Sequence, residues 1–157
     1  MSARRQRLVI THKHRFNHSC EDVFTLGCPL KEDDWLPGWR DRRKMVYSES
    51  GGAEQGCVFA TEDMPHIMGP ATWVNDVYEP FEKIQYSAIN DKIVYQIQWD
   101  FKPLRNGCEL IMTRRWTALR LEAEEFLGRL EASADKQPPD LFALMEHYLA
   151  TGKMMGC

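Results

Sequence analysis

The stretch ITHKHRF, residues 10 to 16, carries two histidines two positions apart. On an extended strand, His12 and His14 point to the same side as Ile10 and Phe16, while Lys13 and Arg15 point away. Imidazoles aimed at an apolar face suit a metal site, an acid–base pair, a polar spot in a ligand cavity, or plain structure. For metal, the donors in range are His12, His14, His18, Cys20 and Cys28. Structural zinc takes four ligands at compact, fixed spacing. Here a strand gives way to a helix between the two pairs and no second cluster answers them, so no metal or other cofactor is expected. Cys57 or Cys108 as a nucleophile would need a placed histidine base. None is placed by the sequence, and both read as buried apolar thiols.

Arg114 shares the parity of Leu110, Met112 and Trp116 on a strand-like segment, and Arg115 has the opposite one. If Arg114 faces inward it needs a partner, and in a cavity it would grip a carboxylate through both guanidinium edges. If a bulge shifts the register it is simply exposed. His12, His14 and Arg114 are therefore the candidates for proton transfer or charge binding, and no complete catalytic set is recognisable. Glu62, Asp63 and His66 sit in a loop, where His66 reads as a solvated side chain. Trp73, Tyr86, Tyr95, Trp99 and Trp116 fall at inward positions of neighbouring strands. They read either as ordinary core or as the wall of a cavity, since tyrosine and tryptophan bring polar atoms that need partners. Asn75 shares the face of Trp73. Trp35 and Trp39 flank Leu36-Pro37-Gly38 and read as anchors for short helices.

The elements that must hold these residues follow from periodicity. Arg7 to Phe16 alternates as a strand. Ser19 starts a short helix, with Asp22 in a capping-box-like position, and Gly27 and Pro29 end it. A second short turn or helix covers Lys31 to Leu36. Strands are then expected over Lys44–Ser48, Cys57–Thr61, Ala71–Tyr78, Lys83–Ile89, Lys92–Phe101 and Cys108–Leu119. Asn106-Gly107 marks a tight hairpin. In the segment from Ile93 to Phe101, the residues Ile93, Tyr95, Ile97, Trp99 and Phe101 alternate with Val94, Gln96, Gln98 and Asp100, giving one aromatic face and one wet face. Leu121 to Leu130 is helical, and Gln137-Pro138-Pro139 interrupts it. Leu141, Leu144, Met145, Tyr148 and Leu149 form a stripe that stops at Thr151-Gly152.

The order is strand, two short helices, six strands in hairpin connection, then helix. It predicts an α+β protein: a seven-stranded curved antiparallel sheet with a long C-terminal helix across the concave face. A length of 157 residues suits one domain. The net charge of −3 does not provide the basic face that nucleic acid demands, and the run Arg40 to Lys44 reads as a solvated strand edge. No segment approaches the ~20 apolar residues of a membrane span, and no signal peptide is recognisable at the start. These features predict a cytoplasmic protein with no stable membrane insertion. Its five cysteines, an odd count without a CxxC pair, are expected to be free thiols. A homodimer is compatible with all of this.

The segment CPLKEDDWLPGWRDRRKMVYSESGGAEQGCVF, residues 28 to 59, and HYLATG, residues 147 to 152, resemble corresponding segments of bacterial members of the SRPBCC superfamily. That superfamily includes START lipid-transfer domains, the major birch pollen allergen and polyketide cyclase/dehydrase-like proteins. The resemblance covers nearly the whole chain. It implies the helix-grip fold and a cavity between sheet and last helix that holds a hydrophobic or amphipathic, lipid-like or polyketide-like small molecule. It implies no single reaction, since fold does not fix function. On this reading the expected ligand contacts are Trp73, Asn75, Tyr86, Tyr95, Trp99, Met112, Arg114 and Trp116 on the sheet, with Met145 and Tyr148 on the helix. The alternatives are a cyclase or dehydratase acting on such a ligand, and an interaction module like the superfamily's chaperone cofactors. The polar outer face of Gln96, Gln98 and Asp100 argues against the last. Whether the chain is an enzyme stays open at this level.

Overall fold

A computed structural model of the chain describes residues 3–133 and 141–156. The first strand, β1 (Arg7–Phe16), leads into a short helix, α1 (Cys20–Thr25), and a 3-10 turn (Lys31–Asp34). Six strands follow: β2 (Arg43–Tyr47), β3 (Val58–Met64), β4 (Gly69–Glu79), β5 (Lys83–Ile89), β6 (Ile93–Leu104) and β7 (Gly107–Ala118). A second 3-10 turn, Pro65–Ile67, joins β3 to β4. Two helices close the chain, α2 (Leu121–Ala132) and α3 (Leu141–Thr151). The expected break at Gln137-Pro138-Pro139 lies outside the described residues.

The strands form one antiparallel sheet in the order β1-β7-β6-β5-β4-β3-β2. The first strand therefore lies beside the last, with Leu8 opposite Trp116 and His12 opposite Met112. β6 and β7 pair from Ile93↔Ala118 to Leu104↔Gly107. That unbroken register settles the side of every β7 residue: Leu110, Met112, Arg114 and Trp116 all face the concave side. No bulge turns Arg114 outward. Gly107 is required where the β6–β7 turn meets the end of β1, because a Cβ there would collide with the Phe16 carbonyl oxygen.

Ser19 caps α1 as its sequence suggests, its Oγ accepting a hydrogen bond from the Asp22 amide at 3.1 Å. The buried residues of α1, Val23 and Phe24, join a core made by the concave sheet face, Ala123 and Leu127 of α2, and Met145 of α3. Phe24 packs its ring against Tyr78, Phe81 and Phe101.

The thiol expectation needs correction. Cys20 at the start of α1 and Cys108 at the start of β7 form a disulfide, with their Cα atoms 5.0 Å apart. They are 88 residues apart in sequence, so no local spacing announces the pair. Cys57 stays a buried free thiol as read, and Cys28 is free and half-buried. Thiol titration under denaturing conditions is expected to find two fewer reactive cysteines before reduction than after it. Equal counts would mean that the bridge is absent from the isolated protein.

Candidate functional site

A cavity of about 300 Å³ lies between the concave face and the segments that cap it. Register explains why the sheet delivers its lining. Tyr95, Ile97 and Trp99 share one face of β6. Across β7, Trp99 meets Met112 and Ile97 meets Arg114. Across β5, Tyr86 meets Ile97. Phe59 of β3 and Trp73 of β4 continue the wall. The cover comes from Gly27, Glu32, Leu36 and Trp39 on the segment after α1, from Met64 and His66 around the second 3-10 turn, and from Leu141 of α3.

The rings are packed and tethered rather than loose. Phe59 stacks on Trp73 at 5.5 Å and meets Tyr86 edge-on at 5.7 Å. Tyr95 meets Trp73 at 5.9 Å and His66 at 5.1 Å, both edge-on. Several of the polar handles on these rings find acceptors. Trp73 Nε1 donates to Thr61 Oγ1 at 2.9 Å, the Tyr86 hydroxyl to the Gly27 carbonyl at 2.9 Å, and Trp39 Nε1 to the Pro29 carbonyl at 2.7 Å. Trp35, fully buried, donates to the Leu26 carbonyl at 3.1 Å. The two tryptophans of the DWLPGW turn thus anchor it as expected, and Trp39 also faces the cavity.

Four ionisable groups in the lining depart from ordinary behaviour. Burial, reinforced by the neighbouring Asp33 charge and opposed by Arg43, holds the Glu32 carboxyl well above the usual carboxylate range. Asp33 is itself committed to Arg43, at 2.6 and 3.3 Å. Burial, followed by the charge of Arg114, lowers the His66 imidazole to about 4. Burial raises the Tyr95 hydroxyl to about 12, with Arg114 opposing. Burial and then the Glu32 charge raise Tyr86. At neutral pH His66 is therefore a neutral ring that can accept a proton, and Glu32 is biased toward a neutral carboxyl that can donate one.

The structure brings Trp73, Tyr86, Tyr95, Trp99, Met112 and Arg114 together around the cavity. It places the other candidates elsewhere. Trp116 is fully buried beside the lining, its ring 5.1 Å from that of Tyr95. Asn75 is buried with neither side-chain polar atom hydrogen-bonded among the described residues. It lies opposite Tyr86 in the β4–β5 register, whose hydroxyl proton is committed to Gly27. Met145 is buried in the core. Tyr148 sits under the Lys31 ammonium at 5.1 Å.

Neither strand histidine lines the cavity. His14 pairs with Glu146 of α3 at 3.0 Å and stacks on Phe142 at 4.9 Å, so it docks the last helix onto β1. His12 lies 3.4 Å from Arg114 Nη2, and burial together with Arg114 lowers its pKa. The expectation that His66 is solvated is overturned: its ring faces Tyr95 inside the cavity. Among the ionisable groups of the lining, Glu32 and His66 are the two that the sequence reading did not put in the cavity. Among the described residues, no group of three or more His, Cys, Asp and Glu converges on a metal site. No described helix is long and apolar enough to cross a membrane.

A sheet gripping helices around an aromatic cavity defines a helix-grip protein. No family model matches the chain, and no curated protein does. Solved structures do. Norcoclaurine synthase from Thalictrum flavum, in complex with dopamine and hydroxybenzaldehyde, superposes with a TM-score of 0.67 at 15% identity, covering 94% of this chain and 88% of that one. The Zhui aromatase/cyclase from Streptomyces sp. R1128 does so with a TM-score of 0.64 at 14% identity, covering 94% and 96%. A protein from Mesorhizobium loti gives 0.61 at 15% identity, covering 91% and 97%. The fold is the helix-grip fold that the resemblance implied.

Proposed function

We propose that this chain is a single ligand-binding domain that takes a hydrophobic or amphipathic small molecule into the cavity between sheet and helices. The observation that carries this reading is the cavity itself. It reaches the lower end of the volumes used for ligands, and its lining is aromatic with a few convergent polar groups. Burial of apolar ligand surface supplies the affinity, at about 25 cal/mol per Å², and the polar groups orient the ligand. The proposed setting is the cytoplasm, where the Cys20–Cys108 disulfide would be exposed to reduction.

Isothermal titration with 2-naphthol, a neutral two-ring probe, tests the reading. Wild-type protein is expected to bind it. Ile97→Trp, which fills the cavity from β6, is expected to weaken binding by at least about tenfold with the fold retained by circular dichroism. Absence of binding to the wild type, or equal binding by both proteins, would sink the proposal.

A second reading, an enzyme of the cyclase or dehydratase kind, is favoured by one observation. Glu32 and His66, displaced in opposite directions, both line the cavity, so a group that can donate a proton and one that can accept it face the same volume. Two of the similar structures are named as enzymes, a synthase and an aromatase/cyclase. Mass analysis of a bound ligand separates the readings. Recovery of unchanged ligand fits a carrier, and recovery of a product that has lost water fits the enzyme.

A further inference from the structure

Glu32 brings a carboxyl group into the cavity from its cover. It sits on the 3-10 turn Lys31–Asp34, and its backbone is tied on both sides. Its amide donates to the Cys28 carbonyl at 2.9 Å, and its carbonyl accepts from the Leu36 amide at 2.8 Å. Fully buried Trp35 closes the turn and fastens it to the Leu26 carbonyl. The Glu32 side chain is half-buried by area yet surrounded by protein, so the surface it keeps faces the cavity. The charged groups beside it are engaged with others. Arg43 is committed to Asp33, at 2.6 and 3.3 Å. Lys31 pairs with Asp34 at 3.2 Å and lies over the Tyr148 ring. What acts on the Glu32 carboxyl is burial, then the charges of Asp33 and Arg43, with no hydrogen bond to it among the described residues. Its own charge bears on Tyr86 and Tyr95, so it faces the part of the wall that β5 and β6 supply.

Three rings of the lining have committed their donors within the protein. The Tyr86 hydroxyl donates to Gly27, Trp39 Nε1 to Pro29 and Trp73 Nε1 to Thr61. They offer a guest faces rather than donors. A charged guest loses its hydration among rings, which favours an uncharged one, and a volume of about 300 Å³ suits one or two fused rings. A purely apolar guest that covered Glu32 would leave a buried carboxyl unpaired. A carboxyl biased toward its neutral form carries one O–H donor. A carbonyl oxygen satisfies it and brings no proton that needs a further partner.

We propose that Glu32 selects the ligand: its carboxyl donates a hydrogen bond to the carbonyl oxygen of an uncharged ketone of one or two rings, stacked against Tyr86 and Trp39. This rests on the cavity-binding reading above and gives it a ligand class. Binding is then linked to a proton. The neutral carboxyl donates, whereas the carboxylate repels a carbonyl oxygen, so the preference for a ketone is present in acid and is lost as pH rises through the window above 4.5. The groups facing Glu32 are Asp33 on its own turn, Arg43 of β2, Tyr86 of β5 and Tyr95 of β6, with His66 and Arg114 across the cavity. Between pH 5 and 9 burial keeps both tyrosines and His66 neutral, and the arginines stay charged.

Quenching of the tryptophan fluorescence of the full chain by 2-acetonaphthone and by 2-isopropenylnaphthalene, which has the same shape with a methylene in place of the oxygen, tests this. The readout is the ratio of the two affinities, in which differences of fold and volume cancel. At pH 5 the preference for the ketone is expected to be at least about fivefold greater in the wild type than in Glu32→Leu. In the wild type it is expected to fall from pH 5 to 9. Glu32→Gln, which keeps an N–H donor but cannot ionise, should keep the preference and lose its dependence on pH. The same ratio in wild type and Glu32→Leu, a wild-type ratio that does not change with pH, or a pH dependence that survives in Glu32→Gln overturns the assignment. Tighter binding of 2-naphthylmethylamine than of the ketone at pH 7 assigns Glu32 to a cation and overturns it too. In all these cases the hydrocarbon still reports whether the cavity takes a guest. If none of the three compounds binds, the cavity reading falls as well. If Glu32→Leu does not fold, the wild-type pH profile and Glu32→Gln decide.

Discussion

Trp116→Ala is expected to remove about 3–5 kcal/mol of folding stability, against a total of about 5–15 kcal/mol for a domain. Trp116 is fully buried on β7. It carries more than apolar area. Its ring packs against Tyr95 at 5.1 Å and under Arg114 at 5.1 Å. Its Nε1 donates to the His66 carbonyl at 2.9 Å, tying β7 to the 3-10 turn at Pro65–Ile67. Alanine leaves a ring-sized cavity and an unmet carbonyl together. Trp116→Phe separates the two effects. It keeps most of the area and loses the donor, at a cost of about 1–3 kcal/mol. Because the freed carbonyl belongs to His66, Trp116→Phe should also weaken ligand binding, although Trp116 is outside the lining. Urea unfolding with unchanged m-values measures the stability terms. A loss below about 1 kcal/mol for Trp116→Ala would show that this tie is not structural.

That prediction turns on a contact no periodicity reveals, which separates what the sequence discloses from what it does not. Strands are legible because alternation is a local signal. Ile93 to Phe101 alternates cleanly, Asn106-Gly107 marks its hairpin, and the observed β6 and β7 bracket that turn. The inward aromatic residues are legible for the same reason, since parity alone decides the face. The side of Arg114 is not, because a one-residue bulge would reverse it. Only the continuous β6–β7 register settles it.

Glu32 and His66 are less legible still. Glu32 lies in Lys31-Glu32-Asp33-Asp34, a run that reads as a solvated turn. His66 lies in a loop. Burial of such residues depends on how the loop closes over the sheet, a long-range event without a local period. A trace was present: Met64, Pro65, Ile67 and Met68 surround His66 with apolar residues, and Trp35, Leu36 and Trp39 follow Glu32. Apolar neighbours around a titratable loop residue point to enclosure. His12 and His14 show the converse. Their side was read correctly, but β1 is an edge strand two places from the cavity centre, and the ring of His14 is taken up by Phe142 and Glu146.

The displaced groups of the cavity should give stability opposite dependences on pH. His66 titrates near 4 in the folded chain, against 6.5 for an ordinary imidazole, through burial first and Arg114 second. Between those values the unfolded chain binds the extra proton, so stability is lost as pH falls through this window and recovers as it rises. The gap sets an upper bound of about 3.4 kcal/mol. Glu32 acts with the reverse sign. Its folded carboxyl holds its proton well above the ordinary value of 4.5, so the stability it supports is present in acid and is lost as pH rises through the window above that value. Facing these groups are Arg114 and Tyr95 on the His66 side, and Asp33, Arg43 and Tyr86 on the Glu32 side. Their contributions persist in single variants and cancel in the comparison with the wild type. His66→Gln should therefore flatten the loss of stability between pH 6.5 and 4 without touching the alkaline side. Glu32→Gln should leave the acid limb intact and become more stable than the wild type as pH rises. Urea midpoints collected from pH 4 to 8 for the three proteins read both effects. An acid limb unchanged in His66→Gln would place that ring in solvent, and a Glu32→Gln curve parallel to the wild type would show that Glu32 ionises freely and cannot serve as the proton donor of the cavity.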